Sequence, residues 1–523
     1  MPARPRKSNA VAQQIIPLLL LGIGLVSTNN SVTFLNEEAT TLGAAVNPLR
    51  TLIAQSVHGT AAAGFHPLFD SILHFWLQAT GGNFDYLRLP SALFFLAGLL
   101  LLGRAARRFT PGGTGLAVIW LGVLWPFSFH FARLATSYSF SFFLVSALTL
   151  SYLEYLEDRT RRRGVVSLVF CVALIWTTYW GWAILACLVL DQIARGRAKE
   201  ATARVNALVL AVVILGLCFV PCFSTLRSSI ARMMNLRPGI RAILASAGLN
   251  VFSFFVSSSV APWYWRLSIP VGIVIVVGAV LAARWLPRAA RRFLVYAVCV
   301  LALMALTGAL QAGNLFVLAP WVLLPFGIVI ETEKPRWATF ALAAALLGIG
   351  VAGWYGIYAK RFYSDPQFIE PWQEIAADAA VKIANGATVI SDQPAFLFYL
   401  TYDLHAPREN RPWRFEGLLP DAVKHPQVFS PEGWLSAQRP ANRKIVLVRS
   451  AREPGDDAPV DQAARELDAS CGSISSRLRV RDEGYAWKHR FLPQLRAPLW
   501  RIEIREYDCD SSNSRQIYRI PPQ

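Results

Sequence analysis

Long apolar stretches alternate with short basic clusters over the first 358 residues of the chain. Each stretch is close to the roughly 17–25 residues that a helix needs to cross a bilayer. The pattern predicts spans near 11–28, 87–103, 114–131, 138–156, 165–178, 180–194, 205–223, 267–283, 293–310, 314–330 and 338–358, about eleven transmembrane helices. Between them fall Arg4 to Lys7, Arg104 to Arg108, Arg159 to Arg163, Arg195 to Arg204, Arg284 to Arg292, and Lys334 with Arg336. Placing all these clusters on the cytoplasmic side requires an even number of crossings between neighbours, and this set of spans provides it. The stretch 165–194 must then turn back on itself, with only about 15 residues per pass. Thr177, Thr178, Tyr179, Trp180 and Gly181 supply a polar and aromatic tip for that turn, and aromatic residues favour the membrane–water interface. The first stretch follows a basic N-terminus but shows no small-residue cleavage site, so it reads as a retained span.

This topology leaves 29–86, 224–266 and everything after Tyr358 outside. From about 359 onward the pattern changes. Helical spacing runs from Pro371 to Ile383, and short apolar runs follow at Ala387–Ser391 and Lys444–Val448. Alternating runs appear at Ile474–Val480 and Leu499–Ile504, with Pro, Gly, Asp and Asn in the gaps. The expected architecture is a multi-pass α-helical membrane domain over 1–358 and a soluble α/β domain over 359–523. The second lies on the periplasmic side of a bacterial inner membrane. Cys471 and Cys509 flank two of the late strands. Antiparallel pairing would bring them together and an oxidising compartment would permit a disulfide; the sequence leaves open whether they join.

Composition agrees with the membrane reading. The 523 residues are 54% hydrophobic and only 16% charged, against about 25% charged in ordinary globular chains. The net charge of +18 does not indicate nucleic acid, because the basic residues sit between apolar runs and no compact basic domain carries them. No proposed span has an ionisable residue near its centre, which argues against a proton or ion path. No zinc-like spacing, Walker pattern or dinucleotide glycine pattern occurs. No cofactor is expected, and the sequence does not settle whether a divalent metal is needed.

The first outer segment carries the chemical signal. Glu37-Glu38-Ala39 follows the first span, then His66-Pro67-Leu68, then Leu87-Arg88-Leu89-Pro90-Ser91-Ala92 leading into the second span. This order resembles the GT-C membrane glycosyltransferases. The nearest branch holds the bacterial lipid A aminoarabinose and galacturonic acid transferases, related to the protein O-mannosyltransferases. Pro371-Trp372-Gln373-Glu374-Ile375-Ala376 resembles a helix that often opens the family's outer domain. Two places depart from the family pattern. Arg133-Leu134-Ala135-Thr136-Ser137-Tyr138 stands where a Gln-Glu-Ala-Arg-x-Tyr-like segment is usual, and Asn314-Leu315-Phe316 stands where Arg-Tyr is usual.

The resemblance implies transfer of a hexosyl or pentosyl unit from a polyprenyl-phosphate carrier to an acceptor hydroxyl on lipid A, another glycan, a lipid or a protein, with inversion. A phosphate leaves as a stable anion and needs no general acid, unlike the alkoxide released by a glycosidase. One carboxylate to deprotonate the acceptor is enough. Glu37 is the expected base, with Glu38 second. The departing phosphate needs cations, and Arg227, Arg232, Arg237, Arg241 and Arg266 lie in the second outer segment, against the usual charge bias. Guanidinium geometry suits phosphate. His66 and Tyr179 are further candidates for substrate contact. Two other classes compete: a transporter or flippase for the lipid-linked sugar, and a non-catalytic envelope assembly protein. Transporters tend to show internal repeats and polar midplane sites, and neither is seen.

Overall fold

The computed structural model describes residues 7–28, 35–58, 66–81, 86–110, 113–195, 216, 219–220, 240–257, 260, 265–307, 310–332, 336–359, 371–405, 427–436, 444–450, 459–480 and 501–509. Contacts divide the chain into two units. The first comprises Met1–Asn30, Pro48–Trp76 and Asp85–Ser364; the second comprises Ser31–Asn47, Leu77–Phe84 and Asp365–Gln523.

In chain order the helices are α1 (Lys7–Ser27), α2 (Asn36–Val46), α3 (Leu49–His58), α4 (Pro67–Ala79), α5 (Leu89–Ala106), α6 (Leu116–Leu124), α7 (Pro126–Ala132), α8 (Tyr138–Glu157), α9 (Arg161–Ile175) and α10 (Trp180–Ala194). They continue with α11 (Ile240–Val256), α12 (Trp265–Trp285), α13 (Arg288–Leu306), α14 (Ala312–Leu315), α15 (Ala319–Glu331) and α16 (Arg336–Tyr358). A 3-10 turn, Phe316–Leu318, joins α14 to α15. Among the described residues, six stretches are long and apolar enough to cross a membrane: Leu89–Ala106, Tyr138–Glu157, Ser268–Trp285, Arg288–Leu306, Ala312–Glu331 and Thr339–Tyr358.

Three features differ from the sequence pattern. The predicted span 114–131 breaks into α6 and α7, because Trp125 is extended (ψ 113) and Pro126 opens the next helix. Proline lacks the N–H that a continuous helix would need there. The predicted span 205–223 falls almost wholly outside the described residues. The segment 224–266, expected as an outer loop, contains the 17-residue α11. Its arginines suggested a loop, yet the apolar run after Arg241 packs against α7, α13 and α16. The stretch 165–194 does form two helices, α9 and α10, joined by the tip Trp176–Tyr179.

α5 and α8 form the centre of the first unit. An aromatic core surrounds Phe316, with ring centroids 5.4 Å from Phe142, 5.6 Å from Phe95, 6.0 Å from Phe127 and 6.2 Å from Phe131. Trp125 donates its indole N–H to the Phe254 carbonyl at 2.7 Å, and Trp321 donates to Thr149 Oγ1 at 2.9 Å. These two buried indoles thus find partners, as a medium without water requires. Gly115 adopts a left-handed φ of 69° and lies so close to Gly103 that a side chain would collide with its carbonyl. The carboxylate of Glu331 accepts from the backbone of Gly115 at 3.2 Å and of Ala117 at 3.0 Å, capping the start of α6.

Ion pairs gather at the end of this unit where α8 and α10 finish. Asp191, 6% exposed, accepts from Tyr152 Oη at 2.6 Å, Arg195 Nε at 2.7 Å and Arg292 Nη1 at 2.7 Å. One carboxylate therefore ties α8, α10 and α13 together.

The second unit adds α17 (Trp372–Ala384), β1 (Thr388–Ser391), α18 (Pro394–His405), β2 (Val428–Phe429), α19 (Pro431–Ser436), β3 (Lys444–Ser450), α20 (Pro459–Ser470), β4 (Gly472–Val480) and β5 (Arg501–Asp508). The strands form one mixed sheet in the order β2-β1-β3-β5-β4. β1 runs parallel to β2 and β3, while β5 is antiparallel to β3 and β4. Alternation along the strands builds two cores. Val389, Val446, Val448, Ile502 and Ile504 meet α17 and α18, whereas Ile390, Ile445, Leu447 and Tyr507 meet α19 and α20. On the second face Arg449 pairs with Asp461 and Glu503, and Arg505 pairs with Glu503 and Asp468. Burial pushes the Glu503 carboxyl up, but hydrogen bonds from Arg505 and Arg449 outweigh it and hold it below the usual range. Cys471 and Cys509 form a disulfide, Cα–Cα 4.4 Å, where β4 begins and β5 ends. α2 also belongs to this unit and packs against α18, burying Leu35, Ala39, Leu42 and Ala45.

Asp191→Asn removes the charge that two arginines share. Loss of one partner of a fully buried pair costs ~3–5 kcal/mol. Arg195 and Arg292 are 25% and 39% exposed, so screening reduces the expected loss to about 1–3 kcal/mol. A lower thermal midpoint of the detergent-solubilised chain checks this; an unchanged midpoint would show that the network adds nothing.

Candidate functional site

A polar cluster closes the end of the first unit where α5 and α8 begin and α7 ends. It is built from four turns of chain. His66 stands immediately before α4, and its carbonyl accepts from the Asp70 N–H at 2.9 Å, so His66 begins the helical ladder. The Leu68 N–H donates to the Trp176 carbonyl at 3.2 Å, docking α4 onto the α9–α10 tip. The His66 Nδ1 lies 2.8 Å from the Thr177 carbonyl and 3.0 Å from Ser137 Oγ. A carbonyl can only accept, so Nδ1 carries the proton and Nε2 keeps its lone pair. Burial lowers the His66 pKa more than the Thr177 hydrogen bond raises it, leaving the ring neutral at pH 7.

The turn from Arg133 to Ser137 is buried throughout. Ser91, on the first turn of α5, reaches the Thr136 carbonyl at 3.5 Å. Arg133 donates from Nη1 to the Thr28 carbonyl at 3.2 Å, and its guanidinium lies 4.7 Å from the Phe129 ring centroid. Arg88, which precedes α5, and Arg133 are each 3% exposed. Both lie within electrostatic reach of buried His130 on α7. Two buried guanidiniums therefore lie at this end of the helix bundle.

Asp70 is 4% exposed and lies one turn beyond His66 on the inward face of α4. Its Oδ1 has no hydrogen-bond partner among the described residues. Burial pushes its carboxyl well above the usual range.

The second unit holds the acidic pair, and the two carboxylates there differ. Glu38 is fully buried and accepts the Leu35 N–H at 3.1 Å, capping the start of α2 from its first turn. Glu37, one residue earlier, is exposed. Of the pair, Glu38 is engaged in holding the helix, and Glu37 lies on the exposed side of α2.

The other expected residues separate. Tyr179 is half-buried at the tip that also holds Thr177. Arg227, Arg232 and Arg237 lie outside the described residues. Arg241 lies on α11 with its side chain outside the described set, and Arg266 is exposed on the first turn of α12. Arg88, Arg133 and Asp70 were not selected from sequence as site residues. The family-like order already contained Arg88. Arg133 sits in the segment that departs from the family pattern, and Asp70 one turn past the histidine motif was the available signal. At the second departure, Phe316 packs into the aromatic core instead of presenting a polar group. Among the described residues no group of three or more His, Cys, Asp or Glu side chains is arranged to hold a metal ion.

No family model matches the sequence, and no curated protein matches it. The fold does have solved counterparts. The crystal structure of ArnT from Cupriavidus metallidurans in the apo state superposes with a TM-score of 0.52 at 14% identity, covering 95% of this chain and 98% of that one. The structure of the same protein bound to undecaprenyl phosphate gives 0.53 at 13% identity, covering 99% and 100%. The chain has the fold of ArnT. At this level of identity the likeness is one of fold. The similarity to ArnT includes both units, since the coverage is nearly complete on each side.

The different settings of the acidic pair have a measurable consequence. Glu38→Ala should lower the stability of the folded chain by about 1 kcal/mol through loss of the cap, whereas Glu37→Gln should leave the thermal midpoint unchanged. Equal effects of the two substitutions on the midpoint would contradict the division of roles.

Proposed function

We propose that this chain is a glycosyltransferase that moves a sugar from a polyprenyl-phosphate carrier to an acceptor hydroxyl at the outer face of the membrane. The observation that carries this reading is the match along nearly the full chain to ArnT solved with undecaprenyl phosphate bound. The orientation of the spans, with basic clusters inside, supports an outward-facing His66 end.

Glu37 is the proposed base. The acceptor oxygen attacks the anomeric carbon and its proton passes to the Glu37 carboxylate. The bond from the anomeric carbon to the phosphate oxygen breaks, and polyprenyl phosphate leaves with the electron pair. Attack opposite the leaving phosphate inverts the anomeric centre. Arg88 and Arg133 are proposed to offset the phosphate charge, in place of an exclusive role for the arginines at 227–266. Support for this is their burial beside the His66 cluster, where a guanidinium is worth more than in water. The sugar, whether hexosyl or pentosyl, and the acceptor, whether lipid A, glycan, lipid or protein, belong to the same proposal and follow from the assay below.

Membranes carrying the chain, given radiolabelled polyprenyl-phosphate sugars, should move label into a lipid, glycan or protein fraction. Glu37→Gln should reduce the rate by about 10²–10⁴-fold, the span expected of a positioned general base. Arg88→Ala and Arg133→Ala should each raise KM for the donor about tenfold, the worth of one charge-assisted hydrogen bond. Full activity of Glu37→Gln would remove it as the base. No transfer by the unaltered chain from any donor, with flux of the donor across sealed vesicles, would replace the enzyme by a flippase.

A further inference from the structure

The break between α6 and α7 leaves a hollow in the first unit that the reaction above does not use. A cavity of about 510 Å³ lies between α6, α11, α15 and α16, walled by Trp120, Leu124, Phe255, Phe326 and Leu346. Pro126 has no N–H to give to the Gly122 carbonyl, and side chains take over the acceptors that the break exposes. Ser128 Oγ donates to the Gly122 carbonyl at 2.6 Å, and the Trp354 indole donates to the Leu124 carbonyl at 2.9 Å. The wall therefore stays apolar. A second chamber of about 150 Å³ lies between α11, α12, α13 and α15. Phe254, Phe255, Val322 and Phe326 line both, so they form the ridge between two adjoining chambers. Unfilled apolar space costs packing energy, which an apolar occupant recovers.

The place of the chambers in the bilayer narrows the choice of occupant. On α15 the larger one reaches from Glu331 to Val322. These residues are about 13 Å apart at 1.5 Å per residue, a little under half of the roughly 30 Å hydrocarbon core. The chamber thus spans one leaflet, on the side where the basic clusters gather. Arg284, in the last turn of α12, and Arg288, which opens α13, are both exposed at that surface. Ala279 and Leu294, within about two turns of them, line the smaller chamber. Two apolar chambers side by side beneath arginines match a lipid with two chains and an anionic head. A polyprenyl phosphate has one chain, and its head belongs at the opposite surface, where His66, Arg88 and Arg133 lie.

We propose that the chambers hold the acyl chains of an anionic glycerophospholipid from the leaflet on the basic-cluster side. The larger takes one chain, the smaller takes part of the other, and Arg284 and Arg288 hold the phosphate. The lipid completes the packing that the α6–α7 break leaves open. This site is independent of the glycosyltransferase reading.

The purified full-length chain, stripped of lipid in detergent, is exchanged with phosphatidylglycerol, phosphatidylcholine or polyprenyl phosphate, and the bound lipid is weighed by native mass spectrometry. One phosphatidylglycerol per chain should be retained, roughly tenfold tighter than phosphatidylcholine, and should raise the thermal midpoint. Phosphatidylglycerol with a photoactivatable acyl chain should label the peptides that carry Trp120, Phe255 or Phe326. Ala343→Phe fills the larger chamber, which Ala343 lines. It should fold, hold the midpoint of the lipid-free chain and abolish the lipid-dependent rise. Val276→Phe, on the exposed side of α12, should change neither. Arg284→Gln should lower retention of phosphatidylglycerol toward the phosphatidylcholine level. If Ala343→Phe does not fold, labelling of the unaltered chain decides. Equal retention of the two phospholipids, label that misses all three peptides, or a lipid-dependent rise that survives in folded Ala343→Phe would each overturn the proposal. Polyprenyl phosphate displacing the label from those peptides in preference to phosphatidylglycerol would give the chambers to the donor's tail and overturn it as well.

Discussion

Everything in the first unit follows from the absence of water around its helices. Backbone polar groups inside a bilayer have to be satisfied within the helix itself, and side chains there have to be apolar or paired. The Trp125 and Trp321 indoles accordingly find a carbonyl and a hydroxyl. Charge is pushed to the two ends. At one end Asp191 and Glu331 are engaged by arginines, hydroxyls and backbone N–H groups, which is how a bundle is fastened. At the other end Arg88, Arg133, His66 and Asp70 are collected more densely than fastening alone requires.

That contrast separates scaffold from site. The Asp191 carboxylate has partners on both oxygens. Asp70, as deeply buried, has no partner on Oδ1 among the described residues. The aromatic core around Phe316 lies beneath the second arrangement and gives it a rigid floor, since ring contacts with Phe127 and Phe131 hold α7 against Phe316. At Asn314-Leu315-Phe316 the chain packs Phe316 into the aromatic core, and it carries polar groups on α4 and the Arg133–Ser137 turn.

The second unit follows another logic. Its sheet is covered by helices on both faces, and its β4–β5 pair is joined by the Cys471–Cys509 bond. The helix bearing Glu37 and Glu38 packs against α18 in this unit, though it lies more than three hundred residues earlier in the chain than most of it. Local sequence shows two adjacent acids of equal standing. The capping bond to Leu35 makes them unequal.

Periodicity alone determined the apolar spans around α5, α8, α13, α15 and α16, the helix α17, and the strands near 388, 444, 474 and 501, because each of these buries a face or a full circumference and must repeat accordingly. Motif order along the first outer segment carried the resemblance to the GT-C enzymes before any coordinates. Tertiary structure decided what depends on groups far apart in sequence. α11 was hidden because its flanking arginines look like a loop's, and burial against α7, α13 and α16 is not written in its own residues. His66 meets Ser137 and Thr177 across 71 and 111 residues. Whether a carboxylate is a cap, a solvated charge or a buried acid depends on desolvation and on partners brought by other helices, and local sequence contains neither.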